Sequence, residues 1–308
     1  MTLSTEDQNI AVIIPTHNRR DRIGDCIHSV LSQTVLPHEI IVVDDGSDDD
    51  TKVVLDQFGS KINVIHHKLR QGAQAARNTG LNSVTSKWIT FLDSDDVWLP
   101  NKIERQIQEL EKIEFDPWTV IHCDCIIINQ SEPEEKVWEL PFTQGRNVLK
   151  LLLTRPAPMF QGILTSQIAM NKIGTLDTDL PSYQEWDTSI QLAKFCQFIH
   201  IREPLFKYAL HSDETISRNL KNSVLGYQHI IMKHRTDIIQ LCGHYIFDQH
   251  IINNATQAMN AQRFDIAKDI LSSAIQVNWK VFLLKILNFL HVRPLKLSRI
   301  RTLQLRGA

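Results

Sequence analysis

The chain has 308 residues, 43% of them hydrophobic and 22% charged, with a formal net charge of −2. This is the composition of an ordinary globular protein with one large domain or two smaller ones. The near-neutral charge argues against a nucleic-acid partner, and no apolar run reaches the length of about 18 residues expected for a membrane-spanning helix. The polar N-terminus, Met1–Asn9, predicts no signal peptide. Five scattered cysteines predict reduced, structural thiols and a cytoplasmic protein.

Strand and helix patterns alternate through the first half of the chain. Short apolar runs rich in β-branched residues predict the strands Ile10–Ile14, Ile40–Val43, Ile62–Ile65, Trp88–Leu92 and Thr119–Ile128. Amphipathic or alanine-rich segments predict the helices Asp21–Gln33, Asp49–Phe58, Gln71–Ser83 and Lys102–Glu114. This order predicts an α/β fold with a mostly parallel sheet and helices on both of its faces.

The alternation stops near Asn129. Beyond it we predict a surface loop at Ser131–Glu135, a short helix at Arg146–Leu153, a strand at Gly162–Ala169, a second helix at Glu185–Phe195 and an extended segment or hairpin at Phe198–Ala209. The pattern is helical from about Asn219 and includes a hairpin of Ile251–Arg263 and Phe264–Val277. We therefore predict a domain of residues 1–215 and a C-terminal helical appendage of residues 216–308.

Polar side chains follow three of the predicted strands. The motifs are Pro15-Thr16-His17-Asn18, Asp44-Asp45-Gly46-Ser47 and Asp93-Ser94-Asp95-Asp96. Open parallel sheets bind ligands at the carboxyl ends of their strands, so these groups are expected at one edge. The aspartates of the third motif offer hard oxygen ligands that suit Mg²⁺ or Mn²⁺ and a bound diphosphate. An acidic turn that caps the next helix is the alternative.

Several common nucleotide and hydrolase sites are excluded by the absence of their motifs. No Gly-x-Gly-x-x-Gly follows the first strand, and no Gly-x₄-Gly-Lys-Ser/Thr occurs, which argues against a dinucleotide site and a P-loop. No Gly-x-Ser-x-Gly nucleophile elbow is present either.

Five blocks of the sequence resemble family 2 glycosyltransferases in order and spacing. The blocks are Val12–Arg19, Val30–Thr34, Ile40–Asp48, Gly72–Asn78 and Phe91–Asp96. The resemblance covers roughly residues 10–215. It implies a Rossmann-like GT-A fold, a nucleotide-sugar donor, a divalent metal and inversion at the anomeric carbon.

The resemblance also implies roles for particular residues. The expected contacts to the donor are Pro15, Thr16, Asn18, Asp45, Arg77, Asp93 and Ser94. Asp45 is the expected contact to the base, which makes a UDP-sugar the expected donor. Asp95, assisted by Asp93, is expected to bind Mn²⁺ or Mg²⁺, and His211 is expected to meet the metal or the diphosphate. Structural alternatives stay open: a turn at Asp44–Ser47, a loop cap at Thr16, a surface ion pair at Arg77 and an exposed loop histidine at His211.

Inversion by direct displacement requires a general base that takes the proton of the acceptor hydroxyl. Gln184-Glu185-Trp186-Asp187 resembles the acidic block that supplies this base in the family. Glu185 aligns with the base, although the family usually has Asp at that position. Asp187 is the competing candidate. The alternatives are a helix start favoured by Glu185 and a helix N-terminus stabilised by Asp187.

The C-terminal segment Lys280–Arg306 is basic and apolar, and from Lys280 to the end of the chain there are seven Lys or Arg and no Asp or Glu. Such a segment predicts peripheral contact with an anionic membrane, here the inner face of the plasma membrane. Packing against the catalytic domain or a partner in a homo-oligomer is the alternative.

We therefore expect an enzyme that glycosylates a glycan, lipid-linked or protein acceptor. A non-catalytic nucleotide-sugar-binding protein is a second possibility. A sugar nucleotidyltransferase is disfavoured because its Gly-rich loop after the first strand is absent.

Overall fold

A computed structural model describes residues 9–129, 132–210, 220–276 and 279–294. The chain divides into two compact units. The first comprises Met1–Val148, Ala157–Thr178 and Gln191–Ser212, and the second comprises Leu149–Pro156, Asp179–Ile190 and Asp213–Ala308. The chain therefore leaves the first unit and returns to it twice before the final helices.

The first unit is built on a mixed sheet. Its described strands are β1 (Ile10–Thr16), β2 (Glu39–Asp44), β3 (Asn63–His66), β4 (Trp88–Phe91), β5 (Val97–Trp98), β6 (Thr119–Asn129), β7 (Glu132–Trp138), β8 (Leu164–Ser166) and β9 (Gln197–Leu210). Their order is β3-β2-β1-β4-β8-β6-β9-β5, with β7 paired to β6. The pairs β1–β2, β2–β3, β1–β4 and β6–β9 are parallel, and the other four are antiparallel.

Twelve helices occur in the described residues. They are α1 (Ile23–Leu31), α2 (Thr51–Asp56), α3 (Ala73–Ser83), α4 (Lys102–Glu111), α5 (Leu149–Leu152), α6 (Gln167–Ile173), α7 (Gln184–Leu192), α8 (Leu220–Lys233), α9 (Arg235–Cys242), α10 (His244–Asn260), α11 (Phe264–Ser272) and α12 (Trp279–Phe289). The first unit contains α1 to α4 and α6, and the second contains α5 and α8 to α12. The chain passes from the second unit to the first within α7.

Strand β1 is central to the core of the first unit, because all of its side chains are buried. Ile10, Val12 and Ile14 belong to an apolar cluster that also contains side chains of α1 and α4. Ile13 projects to the opposite face, as alternation along a strand requires, and there it meets Gly80 of α3. Both faces of β1 are covered, which explains its unbroken apolar sequence.

The α/β fold is confirmed, and every element predicted before residue 130 is present with its ends within three residues of the prediction. The sheet is mixed rather than mostly parallel, because β8 enters it antiparallel to both β4 and β6. The loop predicted at Ser131–Glu135 was wrong, because β7 pairs with β6 there. Its charged sequence suits an edge strand, where charges discourage pairing with other chains.

One further prediction after Asn129 needs correction, and one pair of alternatives is resolved. Only Leu164–Ser166 of the segment Gly162–Ala169 is a strand, because Ser166 caps α6 by accepting a hydrogen bond from the Ala169 amide at 2.9 Å. Of the two alternatives for Phe198–Ala209, the extended segment is confirmed and the hairpin is not, because these residues lie within one long strand, β9.

The second unit is organised around α10, which is buried from Phe247 to Met259 apart from Gln257. Helices α8, α9, α11 and α12 pack against it or against one another. Its buried His250 contacts the Tyr227 hydroxyl at 2.7 Å and the Leu153 carbonyl at 3.0 Å. Burial lowers the pKa of His250 to about 4, so the ring is neutral at physiological pH. None of the described helices combines the length and the apolar character needed to cross a membrane.

The contact between α3 and β1 yields a test of stability. A Cβ added at Gly80 would lie 2.6 Å from Cγ2 of Ile13. We expect Gly80→Ala to be destabilising, because overpacking costs about 1–3 kcal/mol and the gain in helix propensity is at most about 1 kcal/mol. Gly24→Ala in α1 is the matched control, since its Cβ would make an ordinary 3.7 Å contact with Val54. Urea unfolding of both variants measures the difference, and a Gly80→Ala variant more stable than the wild type would contradict this packing.

Candidate active site

The three polar motifs that follow β1, β2 and β4 lie at one edge of the sheet. Thr16 pairs with Asp44 in the β1–β2 register, and Asp44 pairs with His66 in the β2–β3 register. The Asp45 amide donates to the Thr16 carbonyl at 2.8 Å, which extends the ladder by one residue. The Thr16 hydroxyl is buried and has no hydrogen-bond partner among the described residues. The edge thus offers a polar group that a ligand could satisfy.

Asp45 is buried and held from three sides. His67 donates from Nδ1 to Oδ1 at 2.7 Å, and the Gln71 and Gly72 amides donate to Oδ1 and Oδ2 at 2.8 and 2.6 Å. The His67 ring is fixed in turn, with Nε2 2.9 Å from the Thr79 hydroxyl. An ionised carboxylate has about four acceptor positions. Asp45 therefore keeps the capacity for one more donor, while its orientation is set by the protein.

The loops that follow β1 and β2 are joined to each other. Asn18 donates from Nδ2 to the Asp48 carboxylate at 2.6 Å and accepts from the Asp48 amide at 3.0 Å, and its own amide donates to the Ser47 hydroxyl at 2.9 Å. Gly46 has a φ of +68°, and a Cβ there would lie 2.7 Å from the Arg70 amide nitrogen. Only glycine fits this close approach. Asn18 thus shapes the loops beside the predicted donor site.

Arg77 of α3 is buried against the acidic motif. Its Nη2 lies 2.5 Å from Oδ1 of Asp93, and its guanidinium stacks on the Phe160 ring at 4.2 Å. Arg77 is therefore a buried partner that fixes Asp93, and not the surface ion pair considered as an alternative. Ser94 is also buried, in the turn that follows β4.

Gln161 connects two of the carboxylates. Its Nε2 donates to Asp93 at 2.8 Å and to Asp96 at 2.5 Å, and the other Asp96 oxygen accepts from the Ala209 amide at 2.9 Å. Burial, with the nearby charges of Asp95 and Asp93, raises the pKa of Asp96 well above its usual value. Through its hydrogen bonds to Gln161 and to the Ala209 amide, Asp96 holds the turn after β4 against β9.

Asp95 and Asp93 retain exposed carboxylate surface, with 20% and 31% of their side chains accessible. Arg19 approaches Asp95 only to 3.4 Å, which is long for a hydrogen bond. Burial, together with the charges of Asp96, Asp95 and Asp93, also raises the pKa of the Cys26 thiol. This concentration of negative charge would be relieved by a bound cation.

The two exposed carboxylates fit one type of metal site. In the part of the chain that the structure describes, no three His, Cys, Asp or Glu side chains are placed to hold a single ion. Mg²⁺ usually takes one or two carboxylates and completes its shell with water and substrate phosphates. Asp93 and Asp95 match that incomplete set. His211 lies outside the described residues.

A cleft of about 450 Å³ opens beside Asp95. Its charged lining comprises Asp21, Arg22 and Asp25 at the start of α1, Asp95 and Asp96 after β4, and Lys207 of β9. Both signs of charge are present together with apolar wall residues such as Val97. A lining of this mixed character suits a polar ligand with many hydroxyls.

The predicted base block begins α7, in the second unit. Trp186 is fully buried and donates from Nε1 to the Leu152 carbonyl at 2.6 Å. Asp187 is also buried, 2.7 Å from His234 Nε2 and 2.9 Å from Lys233 Nζ. Burial alone would raise the pKa of Asp187, but the hydrogen bonds from His234 and Lys233 outweigh it and lower the pKa. Glu185 is only partly buried. This geometry favours Glu185 over Asp187 as the candidate base.

Sequence reasoning missed the residues that support these carboxylates. His66 lies 2.9 Å from Asp44, and His67 lies 2.7 Å from Asp45. Gln161 and His234 were not singled out, because their partners are 65 and 47 residues away. The position of His66-His67 at the end of a predicted strand is the one feature of the sequence that indicates a place beside these carboxylates.

Residues 11–165 match the sequence model described as Glycosyl transferase family 2. Among similar proteins is the UDP-Glc:alpha-D-GlcNAc-diphosphoundecaprenol beta-1,3-glucosyltransferase WfgD of Escherichia coli, 40% identical over 108 residues, which are 35% of this chain and 43% of that protein. The putative teichuronic acid biosynthesis glycosyltransferase TuaG of Bacillus subtilis is 40% identical over 102 residues, 32% of this chain and 40% of its own. The matched part is thus less than half of either relative.

Solved structures share the fold at low sequence identity. S. aureus TarS 1-349 in complex with UDP-GlcNAc has a TM-score of 0.64 and 15% identity, with 92% of this chain and 86% of that chain covered. The mannosyltransferase PcManGT from Pyrobaculum calidifontis, in complex with GDP-Man and Mn²⁺, has a TM-score of 0.59 and 15% identity, with 92% and 80% covered. At 15% identity, these likenesses establish a shared fold.

The buried Asp187 ion pair should appear as a pH-dependent stability. We expect Asp187→Asn to lower the free energy of unfolding by about 2–3 kcal/mol at neutral pH, because two charged hydrogen bonds are weakened. The pKa of Asp187 is lowered in the folded protein, so this stabilisation is complete above about pH 5 and is lost as the pH falls through the folded-state pKa.

Urea unfolding between neutral and acidic pH measures this contribution. The difference in free energy of unfolding between the wild type and Asp187→Asn should become smaller below about pH 4. Asp269→Asn, at an exposed position of α11, is the control and should change stability by no more than about 0.5 kcal/mol. If this difference stays constant down to the pH at which the protein unfolds in acid, a paired Asp187 carboxylate would be contradicted.

Proposed function

The chain belongs to glycosyl transferase family 2, and we propose that it is an inverting enzyme that transfers a sugar from a UDP-sugar to a saccharide carried on a lipid diphosphate. The glycosyltransferase activity and the use of a nucleotide sugar follow from the family. The donor base, the acceptor, the metal and the residue roles are our proposal. The observation that carries it is the arrangement of Asp45, Asp93 and Asp95 at one sheet edge.

The base of the donor is proposed to bind beside Asp45. This carboxylate is oriented by three protein donors and keeps one acceptor position for an N–H of the base. The unpartnered Thr16 hydroxyl offers a second polar contact, and Pro15 lies buried beside it in β1. A UDP-sugar is favoured because the E. coli relative is named for UDP-Glc and TarS was solved with UDP-GlcNAc.

The diphosphate is proposed to lie over Asp93 and Asp95, which would hold Mn²⁺ or Mg²⁺. A cation held by these residues would supply Lewis-acid stabilisation of the negative charge on the departing diphosphate. Arg77 and Gln161 keep Asp93 in place for this task. The presence of Mn²⁺ in the PcManGT complex supports the same assignment.

Glu185 is proposed as the general base. The acceptor oxygen forms a bond to the anomeric carbon from the side opposite the diphosphate, the carbon–oxygen bond to the diphosphate breaks, and the electron pair leaves with the nucleotide. The hydroxyl proton passes to the Glu185 carboxylate. Asp187, held by Lys233 and His234, fixes the start of α7 and so orients Glu185.

The acceptor assignment is supported by the relatives. The E. coli protein is named for a GlcNAc-diphosphoundecaprenol acceptor, and the B. subtilis protein for teichuronic acid biosynthesis. The cleft beside Asp95 has the mixed polar lining that a saccharide requires.

Donor binding can be tested by thermal shift with UDP-Glc, UDP-GlcNAc and GDP-Man, each with and without Mn²⁺. We expect a UDP-sugar to stabilise the protein only when Mn²⁺ is present. Asp95→Asn should weaken that metal-dependent binding at least about tenfold, because it removes one of two carboxylate ligands. Asp56→Asn, at an exposed position at the end of α2 and outside the cleft, is the control and should leave this binding unchanged. Equal stabilisation by the donor without metal would refute the metal assignment.

The base can be tested with Glu185→Gln. We expect turnover to fall about 10²–10⁴-fold, while donor affinity stays unchanged because Glu185 does not bind the nucleotide. Glu111→Gln, at an exposed end of α4, controls for the loss of one charge. Measured with a lipid-diphosphate saccharide acceptor, unchanged turnover in Glu185→Gln would exclude Glu185 as the base.

A further inference from the structure

Helix α12 presents an apolar face to solvent. Phe289, Trp279 and Phe282 are 81%, 66% and 59% exposed, and Ile286 and Leu290 are also exposed. At 100° per residue, these five positions fall within an arc of about 100° on the helix. Isolated exposed apolar side chains are common, but five on one helical face indicate a binding surface.

The opposite face of α12 anchors the helix within the second unit. Val281 and Leu284 are fully buried, and α12 packs on α10 and α11. The chain beyond the helix is held as well, by a contact of His291 with the Phe264 ring at 4.9 Å between centroids. The exposed aromatic side chains are therefore carried by a helix whose other side is already packed.

The charged side chains of the segment that contains α12 all have one sign. Between Trp279 and Pro294 the chain carries Lys280, Lys285 and Arg293 and no acidic residue. On the helical projection the two lysines lie on either side of the apolar arc. The next 14 residues of the sequence add four more cations and still no acid. An apolar face on a helix whose own charged residues are all cations is complementary to a surface that is apolar inside and anionic at its rim.

We propose that the exposed face of α12 docks on an anionic lipid bilayer, with Trp279, Phe282 and Phe289 inserted at the headgroup level and the cations over the lipid phosphates. The helix has 11 residues, or about 16 Å, which is too short to span a bilayer core of about 30 Å. An aromatic and apolar face flanked by basic residues is typical of helices that lie in the interface. The inference does not depend on the donor, the metal or the base proposed above.

The test is flotation of the full chain with vesicles of phosphatidylcholine alone and of phosphatidylcholine mixed with phosphatidylglycerol. We expect flotation with the anionic vesicles only, and we expect Phe282→Ser with Phe289→Ser to abolish it. The matched control is Leu241→Ser with Tyr245→Ser, which removes two exposed apolar side chains from α9 and α10 of the same unit and should leave flotation intact. Circular dichroism checks that both variants are folded.

The charge requirement is tested by combining Lys280→Gln, Lys285→Gln and Arg293→Gln. Each cation contributes about a fivefold increase in affinity for an anionic surface, so the triple variant should bind about 100-fold more weakly. Failure to float with either vesicle, or equal flotation with neutral vesicles, would overturn the proposal. So would a dimer in sedimentation that Phe282→Ser with Phe289→Ser dissociates, because the face would then be a contact between copies of the chain.

Discussion

The arrangement of the candidate donor site depends on the compensation of negative charge at the end of β4. Three aspartates within four residues repel one another, and a buried cation, Arg77, approaches Asp93 to 2.5 Å. Gln161 and the Ala209 amide, which come from distant parts of the sequence, hold Asp96. The same cluster therefore brings together α3, the segment before β8 and the end of β9. Asp95 keeps partly accessible carboxylate surface, so a cation bound at this edge of the sheet would meet a cluster rich in negative charge.

Different physical signals decided what could be predicted from the sequence. The buried strands of the first half are apolar on both faces, and the helices between them are amphipathic, so their positions were evident from periodicity. Strand β7 was missed because its acidic residues and proline are typical of a loop as well as of an edge strand. Strand β8 has only three residues, too few for a periodic pattern. The carboxylates of the site were found by their sequence motifs, but their partners His67, Gln161 and His234 depend on tertiary contacts that no local pattern encodes.

The base block illustrates how burial separates two residues that the sequence leaves equivalent. Glu185 and Asp187 are two positions apart at the start of α7, and both are acidic. Residues that are two positions apart on a helix face different directions. The Asp187 carboxylate therefore points into the second unit, whereas Glu185 stays partly accessible. The buried one is matched by Lys233 and His234, which gives it a structural role. The same unit also carries the exposed apolar face of α12.

The reciprocal hydrogen bonds between Asn18 and Asp48 have an entropic consequence. They immobilise the loops after β1 and β2 during folding, and Gly46 seats the second loop against the Arg70 backbone. A ligand that binds at this edge meets loops that are already ordered, so little conformational freedom remains to be lost on association. Under the proposed assignment, the end of the site that would hold the nucleoside is ordered before binding, and the acidic end would receive its cation together with the diphosphate. The proposed contacts to the base and to the diphosphate would then lie at separate positions along one edge of the sheet, so the contacts to the base would be free to vary without a change in the carboxylates that hold the cation.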